Sequence, residues 1–297
     1  MKIFYTPKQN AGGEHGFSPS AGKPKQAVAS WIEKYGDKLE VVEPISLTVM
    51  DFALAHEKVF VEDILSQKST NGFGDTSKEV AESLPWNNGS LFSAAKYAVE
   101  NGTIAVSPTS GFHHAGWSYN GGFCTFNGLM ITAAKLKEEG FVSKVGILDL
   151  DMHYGDGTDN IIKKLEAEEW VHHFTAGAEY HSAGQAEEFL QSLPEKLEKF
   201  AEFGIDVLLF QAGADCHISD PLGGWLNSEQ IRRRDKIVFE FCRDKNIPVA
   251  WCLAGGYQKS PDGSIGAVLD IHDATIEEGL IAYGFFTRDQ TEQKSRL

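Results

Sequence analysis

Short apolar runs alternate with longer segments of helical period along this chain, and that alternation predicts its architecture. A strand at Lys2–Thr6 is followed by a polar, Gly- and Pro-bearing loop to about Pro24, a helix over Gln26–Tyr35 and a short strand at Val41–Pro44. Phe52, Leu54, Val59, Phe60 and Leu65 mark helical turns, whereas the polar, glycine-containing stretch Ser66–Asn88 predicts a surface loop with one short helix. A helix over Leu91–Asn101 leads into the β-branched strand Thr103–Val106, which stops at Ser107-Pro108. Further on, helices are expected over Leu129–Glu138, Asp159–Glu168, Leu190–Phe203, Ile231–Arg243 and Ile276–Tyr283. They are interleaved with strands from Val145, over Trp170–Phe174, Asp206–Gln211 and Pro248–Leu253, and a charged tail closes the chain. Strand followed by helix, repeated, predicts a three-layer α/β/α fold with a central, mainly parallel sheet.

Composition narrows the picture. At 297 residues and 42% hydrophobic content the chain can bury a large core, and residues 1–297 are expected to form one domain. A formal charge of −15 makes nucleic acid a poor partner and favours a cationic substrate, although acidity also serves solubility. The start, MKIFYTPKQN, lacks an apolar segment behind a basic one, and nowhere do about 18 apolar residues run together, so no secretion signal or membrane span is expected and a cytoplasmic location follows. Cys124, Cys216, Cys242 and Cys252 lie far apart without C-x-x-C spacing, the pattern of reduced thiols rather than a zinc ribbon.

The chemistry collects where strands end. In LDLDMHYGDGT (Leu148–Thr158), a strand would place Val145, Ile147, Asp149, Asp151 and His153 on one face. Asp151 and His153 then suit a divalent metal, with Asp149 one layer deeper as an orienting carboxylate; solvated acids at a capped strand end are the alternative. Three more strand ends carry polar groups: the adjacent His113 and His114 in a glycine-rich loop, Asp215, and Tyr257 beside two glycines. The pair His172-His173 has no such setting and reads as two polar residues in water. Ligands of open α/β sheets bind outside the carboxyl ends of strands, so four such clusters point to one site.

The order HHAG, GFC.FN, D-x-D-x-H-x-G-D-G-T, GAD…DPLGG and GGY, over about Ser107 to Gln258, resembles the zinc-dependent histone deacetylase family, including its bacterial deacetylase-like and acetylpolyamine amidohydrolase members. The resemblance implies an arginase/deacetylase-like fold and removal of acetyl or other acyl groups from lysine side chains of proteins or peptides by metal-activated water. It implies one Zn2+ held by Asp151, His153 and Asp215. His113 would face Asp149 and His114 would face Asp156, the more buried ring managing charge and the other serving as general base and acid. Tyr257 would donate to the oxyanion. Gly122 and Phe123 would form one wall of an acyl-lysine channel and Tyr180 another, in a stretch, GAEYH, where the family's aromatic-rich motif is altered.

The chain also departs from the family pattern. Ala214 stands where an aromatic residue often precedes the third ligand, and Ala254 replaces a glycine before Tyr257. The family often binds structural K+ beside the zinc; Asp149, Asp151 and His153 are positioned to share it, while Trp170 falls where a serine often contributes. Asp215 and His217 are similar to the Asp-x-His of two-metal ureohydrolases, but Gly155 stands where a second carboxylate would be needed. Leu222 occupies the place at which polyamine-selective relatives carry a glutamate, so an acetylated lysine peptide or protein is the first expected substrate and an acetylpolyamine or other small N-acetylated amine the second. A catalytically silent acyl-lysine binding module is the rival of another class, and an oligomer is compatible with all of these readings.

Overall fold

The computed structural model describes residues 1–12 and 16–285; the charged tail beyond them lies outside the described residues. Seven strands, β1 (Lys2–Phe4), β2 (Glu40–Val42), β3 (Ile104–Ser107), β4 (Val145–Asp149), β5 (Val171–Thr175), β6 (Val207–Gln211) and β7 (Val249–Cys252), form one sheet. Every pairing in it is parallel, in the order β2-β1-β3-β7-β6-β4-β5. Parallel strands need crossover connections, and helices supply them on both faces, giving three layers.

Side chains alternate between those faces as the pleat requires. Ile104, Val106, Leu208, Phe210, Val249 and Trp251 point into a core covered by α1 (Lys23–Tyr35), α7 (Ala186–Phe203), α8 (Ser228–Lys245) and α9 (Gly266–Ala282). Ala105, Val145, Ile147, Val207, Leu209 and Ala250 point into the opposite core, beneath α2 (Val49–Phe52), α3 (Lys58–Leu65), α4 (Lys78–Asn101), α5 (Gly128–Glu138) and α6 (Asp156–Lys164).

The largest departure from the sequence expectation is α4, one continuous helix from Lys78 where a surface loop was expected as far as Asn88. Ser83, Asn88, Ser90 and Ser93 of this helix lie inside rather than in water. Ser83 donates to the Val80 carbonyl, Asn88 to that of Leu84, and Ser90 to that of Phe4 in β1. Pro85 cannot donate within the helix, but its carbonyl accepts from Leu47, and Gly89 leaves room for the segment around Ile45 to lie against the helix. Tertiary burial here outweighs local propensity. Helices α6, α7 and α9 also begin earlier than their apolar periodicity indicates. The pair His172-His173 is not solvated either: His172 packs edge-on against Phe200 with ring centroids 4.5 Å apart, and His173 Nδ1 lies 2.7 Å from Asp159.

His56, between α2 and α3, pins two loops that reach the site. Its Nε2 accepts from the Asn127 backbone N–H at 2.9 Å, so Nδ1 carries the proton and donates to the Gly116 carbonyl at 2.8 Å. Burial pushes this imidazole down to about 4 from its ordinary 6.5. Between those values the unfolded chain binds more protons than the native one, so this contribution to stability is present above about 6.5 and lost as pH falls toward about 4.

Two outcomes follow for stability. A Cβ at residue 89 would overlap the Ile45 carbonyl, so Gly89→Ala should cost about 1–3 kcal/mol, read as a lower urea midpoint; an unchanged midpoint would show that the helix and segment separate freely. His56→Gln should flatten the decline of unfolding free energy across the acid window above, and a slope equal to that of the unaltered chain would assign the decline to other groups.

Candidate active site

Strand order decides what meets at the site. β3, β7, β6 and β4 are consecutive neighbours, and the loops leaving their C-terminal ends carry His113 and His114, Tyr257, Asp215, and Asp151 with His153. A sheet that is buried on both faces opens to ligands along this edge.

The pleat itself does not align Asp151 with His153, contrary to the strand reading. β4 ends at Asp149, and the chain then bends so that the His153 backbone N–H donates to Asp151 Oδ1 at 2.9 Å. His153 Nδ1 comes to rest 3.1 Å from Asp151 Oδ1 and 3.1 Å from Asp215 Oδ2. One donor atom from each of Asp151, His153 and Asp215 lies within 4.8 Å of the others. Ligand atoms about 2.0–2.1 Å from a tetrahedral zinc sit roughly 3.3 Å apart, so donor type and spacing both fit such an ion. The remaining carboxylate oxygens are held by the main chain: the Gly255 N–H donates to Asp151 Oδ2 at 2.8 Å and the Met152 N–H to Asp215 Oδ1 at 3.1 Å. A Cβ on residue 255 would collide with the Asp215 carboxylate, so the strand end of β7 can close on the acids only as glycine.

Burial makes this cluster electrostatically costly without positive charge. Desolvation and the neighbouring Asp151 push the Asp215 carboxyl up. For Asp151 burial acts in the same sense, but His113 and His153 outweigh it and hold that carboxyl well below the usual range. Lys23, fully buried at the start of α1, donates to the Ala254 carbonyl at 2.7 Å; burial lowers it to about 8 against the opposing pull of Asp215, Asp151 and Asp220. Ala254 adopts a left-handed conformation, φ +53°, in the turn that delivers Tyr257. Lys23 was not singled out in the sequence, where it sits in a polar loop with no motif.

The two histidines stand side by side with ring centroids 4.1 Å apart. His113 Nδ1 is 2.7 Å from Asp149 Oδ2, and His114 Nδ1 is 2.6 Å from Asp156 Oδ1. Asp149 is itself oriented by the Gln211 side-chain amide at 2.9 Å. Burial opposes a charge on His113, yet Asp149 and Asp151 outweigh it and raise the ring to about 9. His114 moves the other way, lowered by burial and by its charged neighbour His113. One ring is thus held cationic and the other neutral, the division expected of a charge-managing group beside a base.

Tyr257 lies between two rings, with Phe17 at 6.0 Å and Phe123 at 5.6 Å between centroids. Burial, then the Asp215 and Asp151 carboxylates, push its hydroxyl far above the ordinary range, so it is a hydrogen-bond donor. Gly121 and Cys124 exchange backbone hydrogen bonds around a tight turn in which both Gly122 (φ +54°) and Phe123 (φ +64°) are left-handed. A non-glycine residue in that region is strained, and the strain aims the Phe123 ring at Tyr257. Phe17, 47% exposed and unmarked by any motif, completes this aromatic rim.

The other expected residues divide. Leu222 is 41% exposed in a turn whose Asp220 accepts from both the Leu222 and the Tyr257 backbone N–H groups. Tyr180 is placed in the core: its ring meets Phe189 and Trp225 and its hydroxyl is 3.0 Å from Ser192. Trp170 precedes β5 at the far end of the sheet, where its carbonyl accepts from Val145, and Thr175 is the residue paired with Asp149. The serine position inferred for potassium is therefore displaced by one strand length. His217 turns to Ser228 and to the Ser219 N–H and is not part of the Asp151, His153 and Asp215 group.

The chain is similar to known proteins in sequence and in fold. The profile of the histone deacetylase domain matches residues 20–174 and 164–268. Histone deacetylase 2 of Arabidopsis thaliana is 29% identical over 271 residues, covering 81% of this chain and 68% of that protein. The acetylpolyamine amidohydrolase of Mycoplana ramosa is 28% identical over 171 residues, 49% of this chain and 49% of that one. Among solved structures, acetylpolyamine aminohydrolase from Burkholderia pseudomallei has a TM-score of 0.76 at 15% identity, covering 96% of this chain and 100% of its own, a likeness of fold. The HD domain of HDA15 has a TM-score of 0.75 at 17% identity over 96% of this chain and 91% of that one. With the domain profile spanning most of its length, the chain belongs to the histone deacetylase family and is a hydrolase acting on amide bonds.

Proposed function

We propose that this protein is a zinc-dependent deacylase acting on acetylated lysine side chains of peptides or proteins. The observation that carries the reading is the close approach of Asp151, His153 and Asp215 beside the carboxylate-paired His113 and His114. A zinc ion held by Asp151, His153 and Asp215 would supply Lewis acidity to the amide carbonyl and to water. His114, oriented by Asp156 and favoured neutral, accepts the proton of the attacking water and returns it to the leaving amine. His113, kept cationic between Asp149 and Asp151, stabilises the negative charge that develops next to it. The Tyr257 hydroxyl donates to the carbonyl oxygen as it becomes an oxyanion. Phe123, Gly122 and Leu222 flank the entering side chain, whereas Tyr180 is packed against Phe189 and Trp225 in the core and does not line it.

Leu222 supports the lysine reading, since an exposed apolar side chain offers no partner to a second ammonium. The formal charge of −15 and the similarity to acetylpolyamine amidohydrolases favour a second reading, a small cationic N-acetyl amine. A role for K+ beside Asp149 remains part of this proposal, with Thr175 rather than Trp170 next to that carboxylate.

Zinc-reconstituted protein should release acetate from an acetyl-lysine peptide faster than from acetylspermidine, and a chelator or Asp215→Ala should abolish release from both. A reversed ratio would select the amine reading. Release from neither, with longer acyl chains and with iron or cobalt also silent, would favour a non-catalytic acyl-lysine binder. Tyr257→Phe should lower kcat by about 10²–10³ while KM changes little, because its hydrogen bond strengthens as the oxyanion forms; equal turnover would remove its assigned role.

A further inference from the structure

Three consecutive arginines begin the second turn of α8, and the third behaves unlike its neighbours. Arg232 and Arg233 are partly exposed and pair with surface-accessible or helix-borne glutamates, Glu277 and Glu278 for the first and Glu187 for the second. Arg234 and the adjacent Asp235 are instead fully buried, with the Arg234 Nε 2.7 Å from Asp235 Oδ1 and Asp235 Oδ2 accepting from Thr275 of α9 at 2.7 Å. A buried ion pair is a poor source of stability, since well-packed apolar residues of similar volume are often as good or better. Something else must account for a guanidinium in the core.

Its Nη1 donates to the Leu150 carbonyl at 3.1 Å and to the Gly213 carbonyl at 2.8 Å, and lies 3.0 Å from Cys216 Sγ. Leu150 directly precedes Asp151; Gly213 and Cys216 flank Asp215. Both carbonyls lie just past the ends of β4 (Asp149) and β6 (Gln211), where regular ladder pairing has stopped. Without Arg234 the buried Leu150 carbonyl would carry a desolvation penalty and be free to rotate its peptide plane, while the Gly213 carbonyl would be left with the weak Cys216 Sγ–H donor at 3.1 Å.

We propose that Arg234 is a positioning residue for the metal centre: one nitrogen ties the main chain before Asp151 to the main chain before Asp215 and so sets the separation of the two carboxylates. Asp235 and Thr275 hold the guanidinium in the plane that allows this. The geometry suits arginine in particular, because the fork donates in fixed directions from a charge that does not titrate, whereas a lysine ammonium offers a point charge with freely rotating donors. The charge on Arg234 is favoured against burial chiefly by Asp235, and the Asp215 carboxylate adds to it.

This inference rests on the assignment of Asp151, His153 and Asp215 as metal ligands, and the test keeps the two apart. Zinc affinity of the full chain is measured by competition with a chromophoric chelator, and ligand geometry by the d–d absorption of the cobalt(II)-substituted protein. The variants are Arg234→Met, Arg234→Lys and Thr275→Val, with Asp215→Ala as a ligand knockout and circular dichroism to establish folding. Arg234→Met should weaken zinc by about 10–100-fold and shift the cobalt bands, and Arg234→Lys should recover part of both. If Arg234→Met does not fold, Arg234→Lys and Thr275→Val carry the test, each expected to weaken binding several-fold with a band shift. Affinity within about twofold of the unaltered chain, with unchanged cobalt bands, in the folded variants would overturn the positioning role while leaving the metal site standing. An unaltered chain that binds neither zinc nor cobalt would overturn the ligand assignment, and this inference with it.

Discussion

Two buried carboxylates, Asp151 and Asp215, face each other at the end of a parallel sheet, and much of the surrounding structure answers to that repulsion. His153 Nδ1 stands 3.1 Å from an oxygen of each, and backbone N–H groups of Gly255 and Met152 take the oxygens it does not. Three cationic groups surround them in the interior: His113 beside Asp151, Lys23 below the tyrosine turn, and Arg234 behind both strand ends. Charges buried without partners cost several kcal/mol each, so the cluster persists only because donors of this kind are built into the fold. The same arrangement suits a divalent ion, whose charge would be the largest in the pocket.

The sheet is what makes the encounter possible. The polar groups of the candidate site come from residues 113 to 257, yet their four parent strands are adjacent, so their loops emerge along one edge of the sheet. Both faces of that sheet are closed by apolar cores, which leaves the strand ends as the place where polar side chains can gather. Reactive chemistry is thus placed by rigid elements and adjusted by strained turns, seen at Phe123 and Ala254, where non-glycine residues adopt left-handed backbone beside Tyr257.

Much of this was legible in the chain. Period-two apolar runs and intervening amphipathic stretches identified the strands and most helices, since both periodicities reflect which face meets a core. The failures have a common cause. Ser83 and Asn88 read as solvent-facing because polar residues usually are, but in α4 each donates to a carbonyl inside the fold. Tyr180 was placed on a channel wall by motif position, and its ring is instead spent on Phe189 and Trp225. Trp170 stands at the motif position of a potassium-site serine, yet it precedes β5 at the end of the sheet away from Asp149, which pairs with Thr175.

The sequence by itself determined the strand–helix alternation, the family, and the identity of the groups around the centre, because those depend on residue type and order. Tertiary structure decided which buried cations face that centre, that Asp151 and His153 meet through a bend rather than a pleat, and that Phe17 joins Phe123 around Tyr257. Lys23 is 231 positions from the carbonyl it binds and Arg234 is 84 from Leu150. No local pattern marks such contacts, because a buried charge is chosen by the groups that folding brings to it and not by its neighbours in the chain.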